Sequence, residues 1–208
     1  MKKALILAIT LASALFLTYS PAMAGNGKAL FKQKLCMNCH GANGHSKTPQ
    51  YPHLAGQNKL YLLNQFNAIV HGQRKLGSTV LMANHPKLKG FSPQDIDDIT
   101  TYLASLPRKA SDVHAPAALV SKGEALFKNL GCTKCHGDGG QGKGNDPKFA
   151  AYPKLNGQHA EYLFWQMKRI IEGKRTNNHA LKMRETFKAE KLNDAEFKAI
   201  AAYLSSVE

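Results

Sequence analysis

The sequence predicts an all-α chain of two similar domains in tandem, on three observations. No stretch alternates apolar and polar residues with period two, whereas several space their apolar residues as one helix face does. The second half repeats the first: Gly27, Leu30 and Phe31 recur 96 residues later as Gly123, Leu126 and Phe127. The pentapeptide Cys-x-x-Cys-His also occurs twice, at 36–40 and 132–136, and uses all four cysteines of the chain.

The first 24 residues carry Lys2 and Lys3, an apolar run from Ala4 to Leu17, and Ala22-Met23-Ala24 before Gly25, the pattern of an export signal with an A-x-A cleavage site. As a membrane anchor the run falls short of the roughly 20 residues that span a bilayer. Residues 1–24 are therefore expected to be removed, leaving a first domain over 25–106, a linker over 107–120 and a second domain over 121–208. The linker is rich in Ala and Pro and short of large hydrophobic residues.

Three helices are expected in each unit, at 26–36, 58–72 and 93–106, then at 122–131, 159–173 and 194–206. Ser92-Pro93-Gln94-Asp95 supplies a cap, a proline at the first helical position and an acid in the first turn. Ser121-Lys122-Gly123-Glu124 and Asn193-Asp194-Ala195-Glu196 have capping-box spacing. Past the Cys-x-x-Cys-His motifs the repeat offset grows from 96 to 101, with Tyr51–Gln57 matching Tyr152–Gln158. The extra residues fall in the Gly-rich stretch 137–145, a surface loop; with no preceding strand and no P-loop lysine pattern, nucleotide binding is rejected. The longer offset continues through Tyr61/Tyr162, Gln65/Gln166, Arg74/Arg175, Met82/Met183 and Tyr102/Tyr203.

The two Cys-x-x-Cys-His motifs read as two covalently attached haems. Two thiols add to the two vinyl groups of one haem, and the adjacent imidazole reaches the iron. A zinc site would not demand a histidine after both pairs, a redox dithiol needs a βαβ context, and structural disulfides do not explain two identical pentapeptides. Cys36, Cys39, Cys132 and Cys135 are thus the attachment residues, and His40 and His136 the proximal ligands. The candidates for the sixth position are Met82 and Met183, 42 and 47 residues after their histidines and equivalent in the repeat. A thioether there favours reduced iron and raises the potential. His85 and His179 lie near these methionines but do not correspond in the repeat. Met167 reads as packing on a helix face, as does Phe66 near its equivalent place. His45, His53, His71, His114 and His159 read as exposed loop or helix residues with no chemistry.

With these motifs in place, the whole mature chain resembles the dihaem cytochrome c4 family, two class I c-type cytochrome domains in tandem. The resemblance implies that Pro52 and Pro153 orient the proximal imidazoles through their carbonyls. It implies haem propionates near the domain interface, glycines Gly27 and Gly123 at the crossing of terminal helices, and two covalently bound haem c. The function implied is electron transfer in the periplasm between a membrane quinol-oxidising complex and a terminal oxidase or reductase, with no substrate transformed. The alternative is the dihaem subunit of a sulfide- or thiosulfate-type dehydrogenase.

The chain carries a formal charge of +14. Residues 25–110 hold 11 Lys/Arg against 3 Asp/Glu, and 111–208 hold 15 against 11, so the first half is the more basic. This favours acidic redox partners or an anionic membrane surface over nucleic acid, although scattered lysines also serve solubility alone.

Overall fold

A computed structural model describes residues 26–109, 115–144 and 146–208. The leader expected at 1–24, residues 110–114 of the expected linker and His114 lie outside the described residues. The described residues contain helices and turns and no strand.

In the first half α1 (Gly27–Gln33) leads into α2 (Met37–His40), followed by α3 (Lys59–Val70), α4 (Thr79–Ala83) and α5 (Pro93–Ser105). The second half repeats the order as α6 (Ala117–Asn129), α7 (Thr133–His136), α8 (Ala160–Ile171), α9 (Ala180–Ala189) and α10 (Asp194–Ser206). Within each half the first and last helices cross, α1 on α5 and α6 on α10, and the middle helix packs on the last. The apolar residues gather at these crossings: Leu30, Phe31, Leu62, Ile99 and Leu103 in the first half, and Phe127, Leu163, Ile170, Phe197 and Leu204 in the second. Phe66 and Met167 are buried in these cores, as their helical spacing predicts.

The terminal helices approach closely because Gly27 and Gly123 have no side chain. A Cβ on Gly27 would lie 2.1 Å from the Asp98 carbonyl oxygen, and one on Gly123 would lie 1.9 Å from that of Ala199. Phe31 and Phe127 then meet Tyr102 and Tyr203 at ring-centroid distances of 6.0 and 5.8 Å.

Two of the three expected caps form. Ser92 with Asp95, and Asn193 with Glu196, make reciprocal capping boxes on α5 and α10. The third does not: α6 starts at Ala117 behind Pro116, so Ser121 lies inside the helix and the helix occupies part of the expected linker. Ala117, Ala118 and Leu119 are strong helix formers, and they carry the helix upstream of the serine. The segments holding Met82 and Met183, which lie outside the three helices expected in each unit, form the helices α4 and α9.

Candidate functional site

Each Cys-x-x-Cys-His motif closes one short helical turn. Cys36 caps α2 and Cys132 caps α7, and the backbone N–H of His40 and His136 donates back to those cysteines' carbonyls at 3.0 Å. In such a turn residues i, i+3 and i+4 share a face, so both sulfurs and the imidazole project to one side. The four cysteines form no disulfide, and burial pushes the Cys36 and Cys132 thiols up to about 11.

The imidazoles of the two motifs are held in an orientation that suits a metal ligand. His40 Nδ1 lies 3.1 Å from the Pro52 carbonyl oxygen and His136 Nδ1 lies 3.0 Å from that of Pro153. A carbonyl can only accept, so each Nδ1 carries the proton and Nε2 keeps its lone pair. Burial pulls both imidazoles below the ordinary histidine range, offset in part by these bonds, and so keeps them neutral. Tyr51 and Tyr152, equivalent in the repeat, stand edge-on to His40 and His136 at 6.3 and 6.2 Å.

The structure brings the other predicted residues to the same places. One largely apolar cavity in the first half is lined by Cys36, Cys39, His40, Pro52, Phe66 and Met82. Met82 packs on the Phe66, Leu88 and Ile96 cluster, while in the second half Cys132 and Met183 pack against one core cluster. His85 reaches the first cavity, where its Nδ1 accepts from the Lys87 N–H at 3.2 Å. The His179 ring stacks on Tyr152 at 4.3 Å, nearly parallel.

Sequence reasoning noted a further set of residues only as repeat matches. Arg74 and Arg175 are 5 % and 9 % exposed, and each crosses to the other half. Arg74 donates to Gln65 Oε1 at 2.8 Å in its own half, and to Gln166 Oε1 at 2.9 Å and the Tyr162 hydroxyl at 3.0 Å in the other. Arg175 mirrors it, donating to Gln166 at 3.0 Å, and to Gln65 and the Tyr61 hydroxyl, both at 3.2 Å. Gln57 and Gln158 form a second matched pair, each clasping the backbone of the opposite half: Gln57 at Lys154, Gln158 at His53. Among the described residues neither arginine has a carboxylate partner, and Gln65 Nε2 and Arg175 Nε are buried without acceptors. A buried guanidinium without a counter-anion is costly. Arg74, Gln65, Tyr61 and Tyr162 also line the cavity, so a carboxylate-bearing group entering it meets these donors. The lining of the cavity thus fits haem, since it holds two thiols and an imidazole together with the Arg74 guanidinium.

Three histidines depart from expectation. His53 and His159, read from the sequence as exposed, are 8 % and 7 % exposed at the seam between the halves, and His45 stands beside them. Their loops are exposed only until the two halves dock, which local sequence does not report.

The chain matches the family described as Cytochrome c over residues 24–107 and 120–208. It is 38% identical over 194 residues to cytochrome c4 of Pseudomonas aeruginosa, covering 89% of this chain and 88% of the relative. It is 30% identical over 180 residues to the thiosulfate dehydrogenase electron acceptor of Thiomonas intermedia, covering 82% and 77% respectively. The crystal structure of reduced recombinant cytochrome c4 from Pseudomonas stutzeri superposes with a TM-score of 0.73 at 34% identity, over 88% of this chain and 100% of that one.

Proposed function

Since this chain belongs to the cytochrome c family, and within it to the dihaem cytochromes c4, we propose that it carries electrons in the periplasm from a membrane quinol-oxidising complex to a terminal oxidase or reductase. It is an electron carrier rather than an enzyme, and its cofactors are two covalently bound haem c. Each haem, when bound, supplies an iron that takes up and gives back one electron.

The observation that carries this reading is the matched pair of His–Pro carbonyl contacts, at 3.1 and 3.0 Å, each beside its two cysteines. Cys36 and Cys39 hold one haem and Cys132 and Cys135 the other. His40 and His136 present Nε2 to the two irons, and Pro52 and Pro153 fix the ring planes. Met82 and Met183 would each supply a neutral sulfur to the iron, which favours the reduced state. Arg74 and Arg175, with Tyr61, Tyr162 and the paired glutamines, receive the haem carboxylates. In that arrangement the buried positive charges at the seam would find their counter-ions. Residues 1–24 direct export, and no helix of the described residues is long and apolar enough to cross a membrane.

Absorption spectra of the oxidised and reduced holoprotein, with and without carbon monoxide, test this. The expected result is two low-spin haems with a near-infrared methionine band and no response to carbon monoxide. High-spin iron, or carbon monoxide binding at either haem, removes the simple carrier reading. A second expected result concerns the partner. The rate at which membranes oxidise the reduced protein falls steeply as salt rises, because screening weakens the attraction of the basic first half for acidic surfaces. A flat response points to an apolar docking face.

The likeness to a thiosulfate dehydrogenase electron acceptor favours a second reading, in which the electrons come from a sulfur-oxidising dehydrogenase. Reduction by such a dehydrogenase with thiosulfate present, compared with reduction by quinol-oxidising membranes, separates the two donors.

A further inference from the structure

The two methionine segments are fastened in different ways. α9 is ten residues long, buries Ala180 and Phe187, and has Arg184 Nε donating to the Ile171 carbonyl at 3.3 Å, so its own side chains hold it. α4 has five residues and none of them is buried; Val80 and Leu81 are 39 % and 65 % exposed. Beyond the packing of Met82 on the Phe66, Leu88 and Ile96 cluster, so short a helix has little of its own to keep it in place.

The turn before α4 supplies what the helix lacks. Thr79 Oγ1 accepts from the Leu76 N–H at 2.7 Å and lies 2.9 and 2.8 Å from the carbonyl oxygens of Arg74 and Leu76, which ties residues 74–79 into one unit. Its apex is Gly77, with φ of 55°. Arg169, from α8 in the other half, lays its guanidinium against that apex: a Cβ on Gly77 would lie 2.6 Å from Arg169 Cζ and 3.0 Å from Nη1. Arg169 shares the seam with Tyr162, Arg74 and Arg175. Ser78, Thr79 and Met82 line the cavity and Arg169 does not, so the contact presses on the turn from behind. None of its parts recurs in the repeat. At the offset of 101, Arg169 corresponds to Ala68, Gly77 to Asn178 and Thr79 to Ala180. The second methionine segment therefore has no matching cover from the first half.

We propose that Arg169 is a positioning residue for Met82: from the second half it clamps the turn at Gly77 and so holds α4, making closure of the first iron's sixth position depend on the docking of the two halves. This rests on Met82 being the ligand of that iron. With the guanidinium in place the turn cannot swing outward. Without it the turn opens more often, and Met82 spends a larger share of its time away from the iron. A small molecule that binds only the open form measures that share, because its apparent affinity rises in proportion to it. Met183, fastened by the side chains of α9 itself, needs no such clamp, so the effect is confined to one haem.

The test titrates imidazole into the ferric dihaem holoprotein and follows the near-infrared methionine band, with circular dichroism to confirm the fold. Arg169→Ala is expected to tighten imidazole binding about tenfold, the equivalent of about 1.4 kcal/mol, at the haem whose band Met82→Ala abolishes, and to leave the other haem as in the wild type. Lys168→Ala removes a neighbouring charge whose partners, Glu172 and Asp194, lie in its own half, and should change neither haem. Gly77→Ala approaches the contact from the other side, displacing the guanidinium while keeping its charge, and should loosen the same haem. In the Arg169→Ala background it should add no more than Gly90→Ala, whose backbone is also left-handed and whose added carbon meets nothing within 4 Å. Unchanged imidazole affinity in Arg169→Ala overturns the clamp. So does equal loosening of both haems, or full additivity of Arg169→Ala and Gly77→Ala. A methionine band that survives intact in Met82→Ala overturns the ligand assignment instead, and the clamp falls with it.

Discussion

Met82→Ala is expected to open one of the two haems to carbon monoxide, abolish that haem's near-infrared methionine band, and lower its midpoint potential by on the order of 0.1 V, within the roughly 0.8 V that axial ligands span. The reason starts in the chain. α4 is only five residues long, and Met82 is held from it against Phe66, Leu88 and Ile96, lining the same cavity as His40. A thioether stabilises ferrous iron, and alanine cannot reach to replace it. The second haem, for which Met183 on α9 is the proposed ligand, should be unaffected, so the spectrum should split into one changed and one unchanged component. His85 offers a check on ligand exchange, because it lies three residues on and lines the same cavity. If it moves in, the potential still falls but carbon monoxide is refused, and adding His85→Ala restores binding. A near-infrared band of unchanged intensity would remove Met82 from the site.

The parts of this architecture legible in the sequence are those written locally. The Cys-x-x-Cys-His turns, the two capping boxes and the helices from 59, 93, 160 and 194 each follow from residues within a few positions of one another. What escaped has two physical causes. α4 is too short to carry a helical period, and α9 starts at Ala180 behind His179, whose side chain caps nothing. Tertiary packing decides such segments. The seam escaped for another reason: Arg74 meets Tyr162 and Gln166, 88 and 92 residues away in sequence, only once the two halves have docked. Their signal was nonetheless present, as polar residues kept at matching places in a repeat whose surfaces otherwise vary. Arginine, glutamine and tyrosine repeated together, in a chain with few acids, already point to a shared polar contact.

Gly123→Ala is expected to destabilise the second half by about 3 kcal/mol, at the upper end of ordinary overpacking costs. The added methyl carbon would lie 1.9 Å from the Ala199 carbonyl oxygen and 2.8 Å from Tyr203 Cβ. Both belong to α10, whose cap is a closed capping box and whose inner face is almost wholly buried, so the helix cannot tilt aside without opening the core around Phe127, Phe197 and Leu204. Gly27→Ala should do the same to the first half, where the clash is with Asp98 at 2.1 Å. Gly90→Ala is the control: nothing lies within 4 Å of its added carbon, so only the cost of its positive φ, about 1 kcal/mol, remains. Guanidinium unfolding of the holoprotein, followed at the haem absorbance, measures all three. Equal midpoints for Gly123→Ala and Gly90→Ala would show that the helix crossing relaxes freely. The crossing also carries the chain straight from Phe127 into Cys132, whose backbone N–H donates to the Phe127 carbonyl at 3.1 Å. A loosened α6 therefore shifts the cysteine turn itself, and the Gly123 variant should admit water to the haem pocket before it unfolds, lowering the potential of the second haem while leaving the first unchanged.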